Sequence, residues 1–196
     1  MVLEIIALAF MAIFYICYFA KMLSQKKQGI HTDQLGKGKE GFVKGIEVSL
    51  KATTYLLPMM QIVSILFCEA TSFLSLQIAG IVVEALGVLI FVVSVLEMKD
   101  NWRAGVQKEE KTDLVTTGIY AVSRNPAFLG FELMYLGILL AFFNHFLLIA
   151  TLFAVLLFHL QIVNVEEDFL IEAFGEEYLT YKKKVFRYFG RRFWKN

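Results

Sequence analysis

Two prolines, two cysteines and three histidines are all that the 196 residues hold of those types. Each scarcity excludes something. Cys17 and Cys68 fall in different apolar segments without a nearby partner, which argues against a disulfide and for small buried hydrophobes. His31, His145 and His159 are too scattered for metal-ligand spacing, so no metal site is expected. Charged residues make up 19 % of the chain and nearly cancel, to a net +1. No base-reading motif accompanies them, so no nucleic-acid partner is expected. Basic residues are also missing ahead of the first apolar run, where a cleavable signal peptide needs them. Glu4 is the only early charge, and the run is expected to stay as a membrane anchor.

Apolar residues are what the chain has in excess. They form 58 % of it, with 19 Phe and a mean hydropathy of +0.61. A soluble domain averages about 45–50 %. The runs predict an all-α integral membrane protein of one domain, 1–196, with five spans at about 3–20, 52–68, 76–97, 127–143 and 146–163. Only Asn144 and His145 separate the last two, so spans four and five are expected to form a helical hairpin. All 19 Lys and Arg lie in segments 20–51, 98–126 and after 163, numbering seven, five and seven. The loops around 69–75 and 144–145 have none. Under the positive-inside rule this places the N-terminus outside and the basic segments in the cytoplasm. The membrane is the cell membrane in a prokaryote or the endoplasmic reticulum in a eukaryote. No span shows a small-xxx-small face that would predict a dimer, so the oligomeric state stays open.

Within the basic linker 21–51, Gly36-Lys-Gly-Lys-Glu-Gly41 matches G-x-G-x-x-G. It follows Thr-Asp-Gln-Leu in a charged stretch with no preceding strand, so it reads as a solvated linker rather than a dinucleotide fingerprint. Phe42, Val43, Ile46 and Leu50 recur at helical spacing and predict a short helix on the membrane surface. Pro58 is expected to kink span two. Glu84 and Glu132 lie within spans, where a carboxylate is costly and a functional candidate. His159 is near the end of span five.

Polar chemistry concentrates in two segments. One holds Asn101-Trp-Arg-Ala-Gly, then Gln107, then residues 114–130. The other begins at Glu166-Glu167-Asp168 and reaches Phe174-Gly-Glu-Glu-Tyr178 and the basic run 182–184. Pro126 suits the first turn of span four. Gly175 suits a helix end, with Tyr178 and Tyr181 sharing a face beyond it. The intervening hairpin must bring both segments out side by side, bracketing one pocket. The tail around Arg191 and Arg192 reads as a basic patch against anionic lipid.

Leu114-Val-x-x-Gly-x-Tyr120, Arg124-x-Pro126, Gly130, Glu166-Glu167 and Phe174-Gly-Glu-Glu-Tyr178-x-x-Tyr-Lys-Lys resemble the isoprenylcysteine carboxyl methyltransferases and the wider membrane phospholipid methyltransferases. The resemblance covers about residues 98–186; residues 1–97 match only in being hydrophobic. It implies an S-adenosylmethionine-dependent methyltransferase without a Rossmann domain, its cofactor in a cytoplasm-facing pocket and a lipidic substrate arriving sideways from the bilayer. Carried across, cofactor contacts fall on Gln107, Thr112, Asp113, Leu114, Val115, Tyr120, Asn125, Pro126, Ala127, Phe128 and Glu166. Catalytic roles fall on Arg124, as anchor of the polar site, and Glu167, as proton acceptor. The substrate side falls on His159, Ile162 and Glu132.

Three positions depart from the family pattern. Asn125 replaces a His, Phe128 replaces a Tyr, and Ile162 stands where the carboxyl methyltransferases have an Arg that holds the substrate carboxylate. The implied reaction is methyl transfer to a lipophilic or lipid-like acceptor at the cytoplasmic membrane surface, a prenylcysteine-type carboxylate being one candidate. Two alternatives remain: an NADPH-dependent sterol-type membrane reductase, and a non-catalytic membrane protein that retains the fold.

Overall fold

A computed structural model describes residues 1–68, 73–105 and 113–192. Six α-helices organise it: α1 (Val2–Lys27), α2 (Gly41–Phe67), α3 (Leu74–Met98), α4 (Pro126–Ala141), α5 (His145–Gln161) and α6 (Glu167–Lys184). A π-helical turn, Ile162–Glu166, joins α5 to α6 without a break. Among the described residues there is no strand, only isolated bridges between Asp33 and Ala104 and between Val185 and Arg191.

α1, α2, α3 and the joined α5–α6 helix are long and apolar enough to cross a membrane. α4, at 16 residues, measures about 24 Å against a hydrocarbon core of about 30 Å. The chain is thus a multi-pass helical membrane protein by length and composition. A tight hairpin joins α4 to α5. The Asn144 side chain caps α5 by accepting from the Leu147 amide at 2.8 Å. It also donates to Ser64 Oγ at 2.8 Å, and Ser64 in turn donates to the Phe142 carbonyl at 2.6 Å. That chain ties the hairpin turn to α2.

α3 and α4 pack backbone to backbone. A Cβ placed on Gly87 would stand 2.5 Å from the Met134 amide, and one on Gly80 2.6 Å from the Gly137 carbonyl. Small residues permit such close approach, and the dispersion gain of close contact drives helix pairing in lipid. The glycines stand seven apart in each helix, two turns rather than one, and they serve an internal contact. Beside this seam, Phe14 stacks on Phe91 at 4.1 Å between centroids and meets Phe131 edge-on at 4.6 Å.

Three expectations change. Residues 42–50 are not a separate surface helix; they begin the 27-residue α2, which runs unbroken through Pro58. Nothing between Gly41 and Pro58 is a strong breaker, and Glu47 faces inward, fully buried. The linker ahead of it is docked in its first part, while Lys37, Gly38, Glu40 and Gly41 stay exposed as expected. Thr32 and Gln34 are buried, and the Gln34 amide donates to the Ala104 carbonyl at 2.8 Å. Glu47 Oε2 accepts from the Gly36 amide at 2.7 Å. The tail after α6 is also more than a lipid-facing patch, because it folds back: the Gly190 amide donates to the Val122 carbonyl at 2.6 Å, and the Arg124 amide to the Phe186 carbonyl at 3.1 Å. Gly175 does interrupt the helix, with φ of 51° inside α6.

Candidate functional site

The two polar segments meet as their flanking hairpin demands. Pro126 opens α4 in its first turn. Just before it, residues 114–125 form a loop with a short 3-10 turn, Gly118–Ala121. Gly118 has φ of +54°, and a Cβ there would lie 2.5 Å from the Glu97 carboxyl carbon. That left-handed backbone favours glycine. Tyr120, two residues on, is buried, and its carbonyl accepts from the Tyr181 hydroxyl at 2.6 Å. The motif positions around Gly118 and Tyr120 thereby dock the loop onto α6.

Glu167 is the electrostatic centre of this junction. Arg124 Nη1 lies 2.9 Å from Glu167 Oε1. Lys182 Nζ lies 2.7 Å from Oε2, and Arg187 donates from Nε at 2.8 Å and from Nη2 at 3.2 Å. Arg124 also donates to the Tyr178 hydroxyl at 2.9 Å. Burial alone would raise the Glu167 pKa, but hydrogen bonds from Arg187 and Lys182 and the charge of Arg124 outweigh it and bring it down to about 2. A carboxylate held this way is a poor proton acceptor near neutral pH.

Glu166, its neighbour, is different. It is half-buried and accepts from Gln161 Nε2 at 3.2 Å, and the same amide reaches Glu47 Oε1 at 3.3 Å. Burial pushes its pKa up to about 7, opposed by the Gln161 hydrogen bond and reinforced by the Glu47 charge.

Two cavities adjoin these groups. A polar one of about 120 Å³ is lined by Asp113, Leu114, Val115, Tyr120, Arg124, Asn125, Ala127, Phe128 and Glu166, closed by Phe169, Leu170, Phe174 and Tyr181 of α6, with Met98 and Asn101 at its other side. An apolar one of about 300 Å³ lies between α1, α2, α4 and α5, lined by residues such as Tyr15, Leu50, Pro58, Phe131 and Phe158. Its rim at Phe19, Tyr55, Met59 and Ile62 is exposed on the α1–α2 side. Trp102, Arg103, Gly105, Ala127 and Phe128 belong to both linings, so one wall separates the two cavities.

Eight of the eleven cofactor positions expected from the sequence line the polar cavity. Pro126 is not among its lining residues, and Gln107 and Thr112 fall outside the described residues. Arg124 lines it; Glu167 stands behind Arg124. His159, Ile162 and Glu132 line neither cavity. His159 shares a 2.9 Å hydrogen bond with Tyr188 Oη, Ile162 is fully buried, and Glu132 is buried in α4. Arg187, Gln161 and Glu47 went unnoticed in the sequence. Glu47 had a signal, since it falls on the buried face defined by Ile46 and Leu50. Arg187 had none, because a basic residue in a basic tail looks like any other.

A helical membrane protein with a polar cavity walled by the loop before α4 and by α6 is the class this arrangement defines. The profile of one family, phospholipid methyltransferase, matches residues 75–177, just over half of the chain. The chain belongs to that family. It is 40 % identical over 79 residues to the protein-S-isoprenylcysteine O-methyltransferase of Saccharomyces cerevisiae, covering 40 % of this chain and 33 % of that one. To the enzymes of the same name from Xenopus laevis and Dictyostelium discoideum it is 31 % and 32 % identical over 112 and 113 residues. Those matches take in 56 % and 57 % of this chain and 39 % and 48 % of the relatives. The chain therefore matches between a third and a half of their length.

Proposed function

We propose that this protein is an S-adenosylmethionine-dependent methyltransferase acting on a lipophilic acceptor at the cytoplasmic face of a membrane. The observation that carries the reading is the wall shared by the polar and apolar cavities: a reactive group on a hydrocarbon tail in one is brought to a polar ligand in the other. In this reading there are five spans with the N-terminus outside, α4 being the short fourth span, and the polar cavity, the docked linker and the basic segments face the cytoplasm. The membrane is the cell membrane in a prokaryote and the endoplasmic reticulum in a eukaryote.

The chemistry of the polar cavity fits the cofactor. Arg124 Nε is buried and has no hydrogen-bond partner among the described residues, a donor available to a carboxylate or hydroxyl. Glu166 offers a carboxylate for an ammonium or ribose hydroxyls, and the backbone at Leu114 and Val115 offers groups for a base. Trp102 and Phe128 give the shared wall aromatic faces, which attract cations. When bound, the cofactor supplies an electrophilic methyl group on a sulfonium. Residues of the chain position the acceptor and exclude water. Glu166, with a pKa near neutrality, is the group able to take a proton from a protic acceptor. Glu167 serves by fixing Arg124. The described residues enclose about 120 Å³ there, less than the ~300 Å³ at which ligand pockets usually begin, so the cofactor needs a wider cavity than this one.

The relatives' name points to a prenylcysteine-type acceptor as one member of the lipophilic class. The test is transfer of a labelled methyl group from S-adenosylmethionine to a panel of amphiphiles by the purified protein in lipid nanodiscs. Label in an organic-extractable product, lost in Glu166→Ala, supports the reading. No transfer to any carboxylate, phosphate, amine, thiol or hydroxyl amphiphile overturns it.

A further inference from the structure

Two buried polar side chains have no part in the proposed chemistry, yet both bear on the group that does. Gln161, at the end of α5, and Glu47, in α2, are fully buried. Gln161 Nε2 reaches Glu166 Oε1 at 3.2 Å and Glu47 Oε1 at 3.3 Å. Both acceptors are carboxylates, which fixes the amide with its nitrogen toward them. The other Glu47 oxygen accepts from the Gly36 amide at 2.7 Å. A continuous chain of hydrogen bonds therefore runs from the docked linker through Glu47 and Gln161 to Glu166, which lines the polar cavity.

Packing does not account for this arrangement. Gln161 Oε1 is buried without a hydrogen-bond partner among the described residues, a cost that a leucine at the same place would avoid. Glu47 is a carboxyl group taken out of water beside a second one, which is also a costly placement. Local rules are broken in this way chiefly where function requires it. Glu47 and Gly36 lie ahead of residues 75–177, the stretch that the family profile matches. The support for Glu166 therefore comes partly from the chain's own N-terminal half.

Resting on the reading of Glu166 as the proton-accepting, cofactor-facing group of the polar cavity, we infer that Gln161 and Glu47 are its positioning residues: they aim its carboxyl group into the cavity and tie it to the docked linker. Gln161 acts by donating to the ionised form. Glu47 acts by holding the Gln161 amide in place and by setting a second carboxylate beside the first. Burial raises the Glu166 pKa, the Gln161 hydrogen bond lowers it, the Glu47 charge raises it again, and Lys39 of the linker opposes. Tyr120 faces Glu166 from the loop before α4. Arg103, Asp113, Arg124 and Tyr181 are the other charged or titratable groups in the described lining. Gln161 and Glu47 thus pull the ionisation of Glu166 in opposite directions, and removing each has the opposite effect.

Calorimetry of the whole chain in detergent gives the affinity for S-adenosylhomocysteine from mildly acidic to mildly alkaline pH, and with it the midpoint at which binding tightens. Gln161→Met, similar in length but without the donor, should move that midpoint up by about half a pH unit or more, the scale of one hydrogen bond to a charged group. Glu47→Met removes the neighbouring charge and should move it down by a similar amount. On the acid side of the midpoint the first variant then binds about threefold more weakly than wild-type, and the second about threefold more tightly. Infrared titration of the same proteins without cofactor, with Glu166→Gln as the subtraction, reads the midpoint directly from the protonated carboxyl band. Failure of the wild-type to bind S-adenosylhomocysteine strikes the methyltransferase reading, while the infrared midpoints still decide this one. A merely structural role lowers Tm and leaves both midpoints where they are. That result, or shifts of the same sign in the two variants, overturns the assignment. Each variant has its own expected sign, so if one does not fold the other decides.

Discussion

Replacing Glu167 by Gln removes one negative charge from among three cations, and the structure sets the size of the effect. The carboxyl is 5 % exposed and Arg124 7 %, so solvent screens the pair little. Bringing its pKa from 4.5 down to about 2 favours the charged form by roughly 3 kcal/mol. Breaking one partner of a buried pair typically costs about 3–5 kcal/mol, because the other charge stays buried and unpaired. The two estimates agree. On the scale for a domain of this size, about 2–4 °C per kcal/mol, Glu167→Gln should lower Tm by roughly 6–12 °C in detergent. Arg187→Gln, made on that background, should add little, since its partner is gone. The pH dependence has a definite sign. A folded-state pKa depressed below the unfolded value gives stability that is complete above about pH 5 and lost as pH falls toward 2. The wild-type advantage over Glu167→Gln should therefore narrow on acidification. A Tm within about 2 °C of wild-type, or additive losses from Glu167→Gln and Arg187→Gln, would refute this account of the cluster.

Three further outcomes follow from the geometry. Because Glu166 has a pKa of about 7, affinity for S-adenosylhomocysteine should tighten as pH rises through 7 and the carboxylate ionises; calorimetry across that range should show the rise in wild-type and a flat profile in Glu166→Gln. Gly87→Leu should prevent α3 and α4 from closing and leave little folded protein in size-exclusion profiles, whereas Leu89→Ala on the exposed face should elute normally. Ile162→Arg puts a charge at a fully buried position and should cost several kcal/mol, seen as a lower Tm rather than as new activity on a carboxylate amphiphile.

Much of the fold was legible because apolar runs and breakers act locally. The helix beginnings at Pro126 and after Asn144, the interruption at Gly175, and the meeting of the two polar segments all follow from residue type and spacing. The unbroken α2 was less legible. Phe42, Val43, Ile46 and Leu50 suggest an amphipathic surface helix, but Glu47 is held inside by Gly36 and Gln161, a partner more than a hundred residues away. The tail was opaque for the same reason. Seen alone, Arg187 and Lys182 are juxtamembrane cations; only the fold shows them closing on Glu167. Within the acid pair the sequence gives no way to tell the members apart, and the distinction comes from which way each points. Glu167 turns to three cations, Glu166 to the cavity.

Calorimetric titration of the purified protein with S-adenosylhomocysteine and, separately, NADPH tests the central claim most directly. The account predicts saturable binding of the first and none of the second, with binding lost in Glu166→Ala at an unchanged Tm. Silence toward S-adenosylhomocysteine, or binding of NADPH in its place, would contradict it.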